Sequence, residues 1–290
     1  MKYYSLNNYL KDTFGCKVYK IAIDGGFTCP NRDGTIDTRG CIFCSKGGSG
    51  EFAQSRKLTV TEQIEEGKKL VEKKIKSGKY IAYFQAFTNT YAPVEILEQL
   101  YMQAINHNDI VALSIGTRPD CVGDDVISLL SRLNKIKPVF VELGLQTIHQ
   151  GTADYIRRGY TIDVYDKAVA QLKEHGINVV THLIIGLPGE SKEDMLESVE
   201  YVCKVTDGIK LQLLHILDGT DLADEYRQGK IKILELEEYV DIIKDCIGII
   251  PDNVVVHRLT GDGAKKDLLA PLWSADKKKV LNSINKILSE

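Results

Sequence analysis

Apolar runs of strand length alternate along this chain with longer stretches in which apolar positions recur every three or four residues. The short runs cover residues 18–23, 81–84, 110–115, 139–143, 179–185, 209–214 and 254–256. Most are almost continuously apolar and rich in β-branched residues, the pattern of strands buried on both faces of a parallel sheet. Helical period fills about 59–78, 94–107, 124–134, 162–176, 190–205 and 234–249, and a last amphipathic stretch covers about 275–289. Thr59-Val60-Thr61-Glu62 marks the start of the first of these helices.

Six or more strand–helix units in series mean an α/β fold with a parallel sheet, either a barrel or a doubly wound sheet. No Gly-x-Gly-x-x-Gly follows the first strand, which counts against a dinucleotide fold. Polar and unusual residues gather just after each strand, and in an α/β barrel that is the C-terminal rim where active sites are assembled. No Pro/Gly/Ser-rich linker divides the chain, and no internal repeat is evident. The expected organisation is one barrel over residues 1–220, with a loop at 24–50, and an extension at 221–290 packed onto it.

Composition adds little to this picture: 43% hydrophobic and 27% charged residues in 290 are ordinary for a globular protein. No apolar run approaches the ~20 residues that cross a membrane, and the first fifteen residues lack the layout of a signal peptide. The chain reads as cytoplasmic, with no membrane partner. A net charge of −3 counts mildly against a nucleic-acid substrate. Lys and Arg are unevenly placed, however, with clusters at Lys68, Lys69, Lys73, Lys74 and Lys76, at Lys265 and Lys266, and at Lys277 to Lys279. Such runs are either solvated helix faces or contacts for a phosphate backbone.

The cysteines change the picture. Of the seven, Cys16, Cys121, Cys203 and Cys246 are scattered and read as small buried apolar residues. The other three cluster in Asp24-Gly25-Gly26-Phe27-Thr28-Cys29-Pro30-Asn31-Arg32-Asp33-Gly34 and in Cys41-Ile42-Phe43-Cys44. Four ligands would close a zinc site, and no fourth Cys or His lies within the loop. Three thiolates on a four-iron cluster leave one iron open to a substrate or cofactor. A zinc site completed by a distant His stays open as the alternative.

These residues resemble those of the radical S-adenosylmethionine enzymes. The YtqA/YhcC group is the nearer likeness, through Phe14-Gly15-Cys16-Lys17-Val18, the loop from Asp24 to Gly34 and Thr117-Arg118-Pro119-Asp120-Cys121. The resemblance covers about residues 1–265, and that group is related to the catalytic subunit of elongator. It implies a partial (β/α)6 barrel with a C-terminal α/β extension. It also implies a 4Fe–4S cluster on Cys29, Cys41 and Cys44, whose open iron takes the amino and carboxylate groups of S-adenosylmethionine. An electron donor such as flavodoxin or ferredoxin then triggers cleavage to a 5′-deoxyadenosyl radical, which abstracts hydrogen from the substrate.

Other rim positions follow from the same resemblance. Gln85-Ala86-Phe87-Thr88-Asn89-Thr90-Tyr91 stands where many relatives carry Gly-Gly-Glu, so contact with the methionine amino group falls to backbone or to Gln85, Thr88 or Asn89. Thr117 and Arg118 follow the third strand, and Arg118 either forks a carboxylate or phosphate or joins Asp120 in capping the next helix. Glu142, Gly144 and Gln146 alternate onto one face of the fourth strand. Gln146 and Arg158 match a Gln and an Arg that hold the ribose and the carboxylate of S-adenosylmethionine in coproporphyrinogen-type relatives. A buried Glu142 needs a cation or a function. Leu183-Ile184-Ile185-Gly186-Leu187-Pro188 matches an adenine-cradling strand, with His182 where relatives carry Asp. His215 and His257 follow later strands, which suggests a shared substrate-facing group, and Glu142, His182 and His215 are the candidates for acid–base work.

The YtqA-like branch implies a tRNA substrate, modified at the carboxymethylaminomethyl group of the wobble uridine. An unpaired anticodon base can be splayed into a barrel mouth and stacked on an aromatic such as Phe87, Tyr91 or Tyr160. The alternatives are the same chemistry on a small metabolite or peptide, and a metal-binding interaction module without turnover.

Overall fold

A computed structural model describes residues 2–48, 53–74, 78–261 and 265–289. In chain order the elements are α1 (Leu6–Phe14), β1 (Tyr19–Ile23), α2 (Val60–Val71), β2 (Tyr80–Phe84), α3 (Val94–Ile105), β3 (Ile110–Thr117), α4 (Asp124–Asn134), β4 (Val139–Gln146), α5 (Gln150–Tyr155) and α6 (Ile162–Glu174). There follow β5 (Asn178–Ile185), α7 (Lys192–Cys203), β6 (Gly208–Leu213), β7 (Ile216–Leu217), α8 (Asp221–Arg227), α9 (Leu236–Ile249), β8 (Val255–Arg258), β9 (Leu268–Ala270) and α10 (Lys277–Ser289).

The main sheet runs β1-β2-β3-β4-β5-β6-β8, and every neighbouring pair in it is parallel. It curls into a partial barrel: Lys20 on β1 and Lys210 on β6 reach the same carboxylate on β4. The segment past residue 220 contributes β8 to this sheet as its seventh strand, while β7 and β9 form a small antiparallel ribbon. The helix expected over 59–78 ends at Val71 and is followed by a 3-10 turn, Glu72–Lys74; residues 75–77 lie outside the described residues, as do 49 and 50 of the expected loop 24–50. Helix α2 starts as the sequence suggests, with a reciprocal capping box between Thr59 and Glu62.

Helix α1 was not expected. Ser5 caps it, its side chain accepting from the Asn8 amide, and Gly15 ends it at φ 69°. Leu6, Leu10 and Phe14 share one face of the helix and pack on Val18, Ile81, Ala112, Phe140 and Val180. These strand residues sit near the N-terminal ends of β1 to β5, so α1 plugs that mouth of the barrel.

The strand period of two sorts the lumen into layers. Val18, Ile81, Ala112, Phe140 and Val180 form the apolar floor above α1. Two residues on, Lys20, Tyr83, Ser114, Glu142, His182 and Lys210 form a polar layer. Two further on come Ala22, Gln85, Gly116, Gly144, Ile184 and Gln212, all lining the cavity that opens at the C-terminal rim. Neither glycine carries a side chain into that space, so there is room directly above the polar layer.

Candidate active site

The loop after β1 is folded back by its own backbone, with the Arg32 and Asp33 amides donating to the Cys29 carbonyl and the Cys44 amide to that of Cys41. One side chain fixes it to the turn at Arg157–Arg158, and another ties its two halves together. Asn31 Nδ2 donates to the carbonyls of Arg157 (2.7 Å) and Arg158 (3.2 Å) and lies 3.6 Å from Cys41 Sγ. Arg32 donates to the carbonyls of Cys44 (2.8 Å) and Ser45 (2.7 Å) and stacks over Phe87. At Gly159, φ is 83° and a Cβ would stand 2.9 Å from Asn31 Oδ1, so this close approach needs glycine.

Cys29, Cys41 and Cys44 thereby line one cavity of about 520 Å³ together with Gln85, Thr88, Thr117, Arg118, Glu142, Gln146, Arg158, His182 and His215. Among the described residues, the triads whose donor atoms all lie within 4.8 Å of one another are Glu65/His107/Asp109 and His149/Asp194/Glu197. The three cysteine sulfurs are not among them, so they are not drawn together as on one small ion. Burial pushes the Cys41 thiol up to about 12; Cys44 and Cys29 add to this, and Arg118 opposes it. A sulfur buried in this way becomes a thiolate only against a strong positive charge. The scattered cysteines sit elsewhere: Cys203 and Cys246 are buried in the main core, Cys16 packs near α1, and Cys121 is half-buried beside Asp120.

After β2 the chain turns sharply, with Ala86 at φ 81° and Phe87 at φ 59°. Here the left-handed conformation is held without glycine, at about 1–2 kcal/mol each. Phe87 explains how: its amide donates to the Gly48 carbonyl and its ring lies against Gly48, which braces the cysteine loop. Thr88 lines the cavity. Asn89 does not: its Nδ2 donates to the carbonyls of Ala86 and Gly116 behind the cavity wall. Tyr91 also faces away, bonded to Thr35, whereas Phe87 and Tyr160 line the cavity.

Thr117 bonds Thr90 Oγ1 at 2.5 Å. Arg118 forks Asp120, with Nε to Oδ1 at 2.9 Å and Nη2 to Oδ2 at 2.6 Å, and lies over the Tyr160 ring. Gln146 ends β4 at φ 74°, and its buried Oε1 has no partner among the described residues. That is an acceptor placed on the cavity wall without a donor, and it fits a ligand hydroxyl or ammonium group. Arg158 is buried, donating to the carbonyls of Leu145, Thr147 and Tyr160, which leaves one Nη2 hydrogen for the cavity. Tyr160 donates to the Gly144 carbonyl.

The polar layer below is an ion network centred on Glu142. Lys20 and Lys210 contact its two oxygens, Ser114 Oγ donates to Oε1 at 2.5 Å, and His182 Nε2 lies 2.8 Å from Oε2. The cation that Glu142 needs is thus supplied within the lumen, by two lysines that sequence reasoning missed. Burial alone would raise the Glu142 carboxyl, but Lys20, Lys210 and His182 hold it well below the usual range. Burial pushes Lys210 down to about 7 and, with Lys210 beside it, His182 down to about 4. His182 is therefore neutral near pH 7, donating from Nε2 to Glu142 and accepting at Nδ1 from Gln212. His257, buried near Lys20, is also held well below the ordinary histidine value, and both it and His215 line the same cavity.

Two histidines kept neutral make the fold acid-sensitive in a defined window. Their folded pKa values lie below the unfolded one, so the unfolded chain takes up more protons as pH falls from about 6.5. Stability is expected to drop by about 2 kcal/mol for His182 alone between pH 7 and pH 5. Urea unfolding of a His182→Gln/His257→Gln chain at the two pH values should show a markedly flatter dependence.

Residues 37–202 match the Radical SAM superfamily, and residues 206–290 match the Radical_SAM C-terminal domain. YtqA of Bacillus subtilis (strain 168) is 46% identical over 288 residues, 99% of this chain and 89% of that protein. A tRNA uridine(34) acetyltransferase of Methanocaldococcus jannaschii is 31% identical over 177 residues, 56% of this chain and 32% of its own length. Archaeal Methanocaldococcus infernus Elp3, solved with residues 1–46 deleted, shares the fold at a TM-score of 0.65 and 21% identity, over 90% of this chain and 63% of that one.

Proposed function

The chain belongs to the radical S-adenosylmethionine superfamily, in its YtqA/YhcC family, and on that premise we infer that it modifies the wobble uridine of tRNA. Its cofactors are a 4Fe–4S cluster and S-adenosylmethionine. When bound, they supply a 5′-deoxyadenosyl radical that removes a hydrogen atom from the substrate. The observation that carries the reading is the single cavity joining the three cysteines at the rim to the charged layer in the lumen.

In this reading Cys29, Cys41 and Cys44 would hold the cluster, which would supply the open site for S-adenosylmethionine. Gln146 offers its unpartnered Oε1 to a cofactor hydroxyl, with Gln85, Thr88 and Thr117 on the same wall. Arg118, held by Asp120, stabilises negative charge on the sulfurs of Cys29 and Cys41. Arg158 fixes the end of β4 and keeps one N–H for the cofactor carboxylate. The splayed base enters past Phe87 and Tyr160, and its side chain reaches toward Glu142, His182 and Lys210. Support for tRNA as the substrate comes from the relative named for uridine 34. No helix among the described residues is long and apolar enough to cross a membrane.

Nucleoside mass spectrometry of a deletion strain tests this directly. Carboxymethylaminomethyl-uridine is expected to accumulate at the wobble position at the expense of the shorter aminomethyl form. An unchanged wobble profile would remove the tRNA reading.

A further inference from the structure

The residues lining the cavity are unbalanced in charge. Lys20, Arg32, Arg118, Arg158, Lys210 and Arg258 face it, against Glu142 as the one carboxylate among the described lining residues. The excess is sharpest at the bottom. There Lys20 and Lys210 share Glu142, and Arg258 stands beside Lys210 in the strand register. Each ammonium has three hydrogens. Lys20 uses two on Glu142 and Ser114, and Lys210 two on Glu142 and Tyr83, so each keeps one to offer. His257 Nδ1 is also buried on this wall, with no hydrogen-bond partner among the described residues. Gly116 and Gly144 add no side chains of their own to the cavity above the layer, and α1 seals the barrel below it.

We propose that Lys20, Lys210 and Arg258, arranged around Glu142, are the receptor for a carboxylate at the end of the substrate. The inference deepens the reading above, resting on it for the claim that substrate enters this cavity. Two ammonium groups share one carboxylate, and that surplus of about one positive charge in an enclosed, poorly solvated floor is balanced by one small anion. A polyanionic chain is excluded, because α1 closes the barrel and nothing can thread through. The floor therefore takes the tip of a side group, and the carboxylate geometry suits two single-point ammonium donors flanked by a guanidinium.

The groups facing Lys210 are Glu142, Lys20, Arg258, Tyr83, His182 and His257. Glu142 apart, none is an acid that is charged near pH 7, so an incoming carboxylate adds the missing counter-charge and strengthens Lys210 as a cation.

The test uses anaerobic protein loaded with cluster and S-adenosylmethionine, without reductant. It is titrated calorimetrically with two nucleosides that differ by the carboxylate alone, 5-carboxymethylaminomethyluridine and 5-methylaminomethyluridine. The wild-type chain is expected to prefer the first by about 10- to 100-fold. Lys20→Met and Lys210→Met should each lose most of that preference, and Lys210→Arg should keep it at pH 8 to 9, where the lysine itself weakens. Equal binding of the two nucleosides by wild-type protein overturns the receptor, as does a preference that survives both methionine variants. The wild-type measurement decides the matter even if a variant fails to fold. It is also independent of the deletion strain: a carboxylate preference beside an unchanged wobble profile keeps the receptor and removes the tRNA reading, and the reverse result keeps the reading and removes the receptor.

Discussion

Replacing any one of Cys29, Cys41 and Cys44 by alanine is expected to give a colourless chain that forms no 5′-deoxyadenosine above background. Reconstituted wild-type protein should carry about four irons per chain, and each variant less than about one. The size of the effect follows from the geometry. The loop offers three sulfurs and no spare, because Asn31 and Arg32 pin its backbone to the Arg157–Arg158 turn and to Cys44 and Ser45. A two-cysteine site cannot recruit a substitute from a loop so held. Cys121 is the sharpest control, being the remaining cysteine near enough to Cys29 for their charges to interact. Cys121→Ala should retain full iron content and colour. If it loses iron as completely as Cys29→Ala, the triplet is wrongly assigned. One zinc per chain in metal analysis, with no visible absorbance, would instead restore the zinc alternative.

Much of this site was legible in the sequence because its signals are local. The cysteine spacing is written within sixteen residues, and the parallel sheet announces itself through continuous β-branched runs. What was not legible depends on which side chains meet across the lumen. Lys20 and Lys210 lie 190 residues apart in apolar strands, and nothing near either one marks it as the partner of Glu142. A usable signal did exist: Lys20, Tyr83, Ser114, Glu142 and His182 are polar positions in largely apolar strands, each two residues past a floor residue, and Lys210 is a charged residue in the middle of β6. Helix α1 was legible too, in Ser5 followed by Leu6, Leu10, Phe14 and Gly15. Asn89 shows the opposite case. Its type and place after β2 suit a cofactor contact, yet the left-handed turn at Ala86 and Phe87 swings its amide behind the wall, and no local pattern reports that.

Glu142→Gln is expected to destabilise the chain by about 3–5 kcal/mol, because it leaves two ammonium groups in the lumen without their counter-ion. The melting temperature should fall by on the order of 10 °C. Glutamine keeps the volume and the hydrogen-bonding ends, so packing loss cannot account for such a drop. In the wild-type chain the contribution is fully present above the unfolded glutamate value of about 4.3. It is lost as pH falls through the lower folded value, since the unfolded chain then binds the proton more readily. The variant should therefore show little further acid loss below pH 4.3 from this position. Removing all three charges together, as Glu142→Met with Lys20→Met and Lys210→Met, should recover most of the stability, since a well-filled apolar layer needs no counter-ion. That recovery separates cost from purpose. A network that can be replaced without loss of folding is not there for stability, and a triple variant that folds but no longer discriminates between the two nucleosides would place its purpose in binding. A Glu142→Gln chain less than about 1 kcal/mol below wild type would mean that water, not Glu142, compensates the lysines.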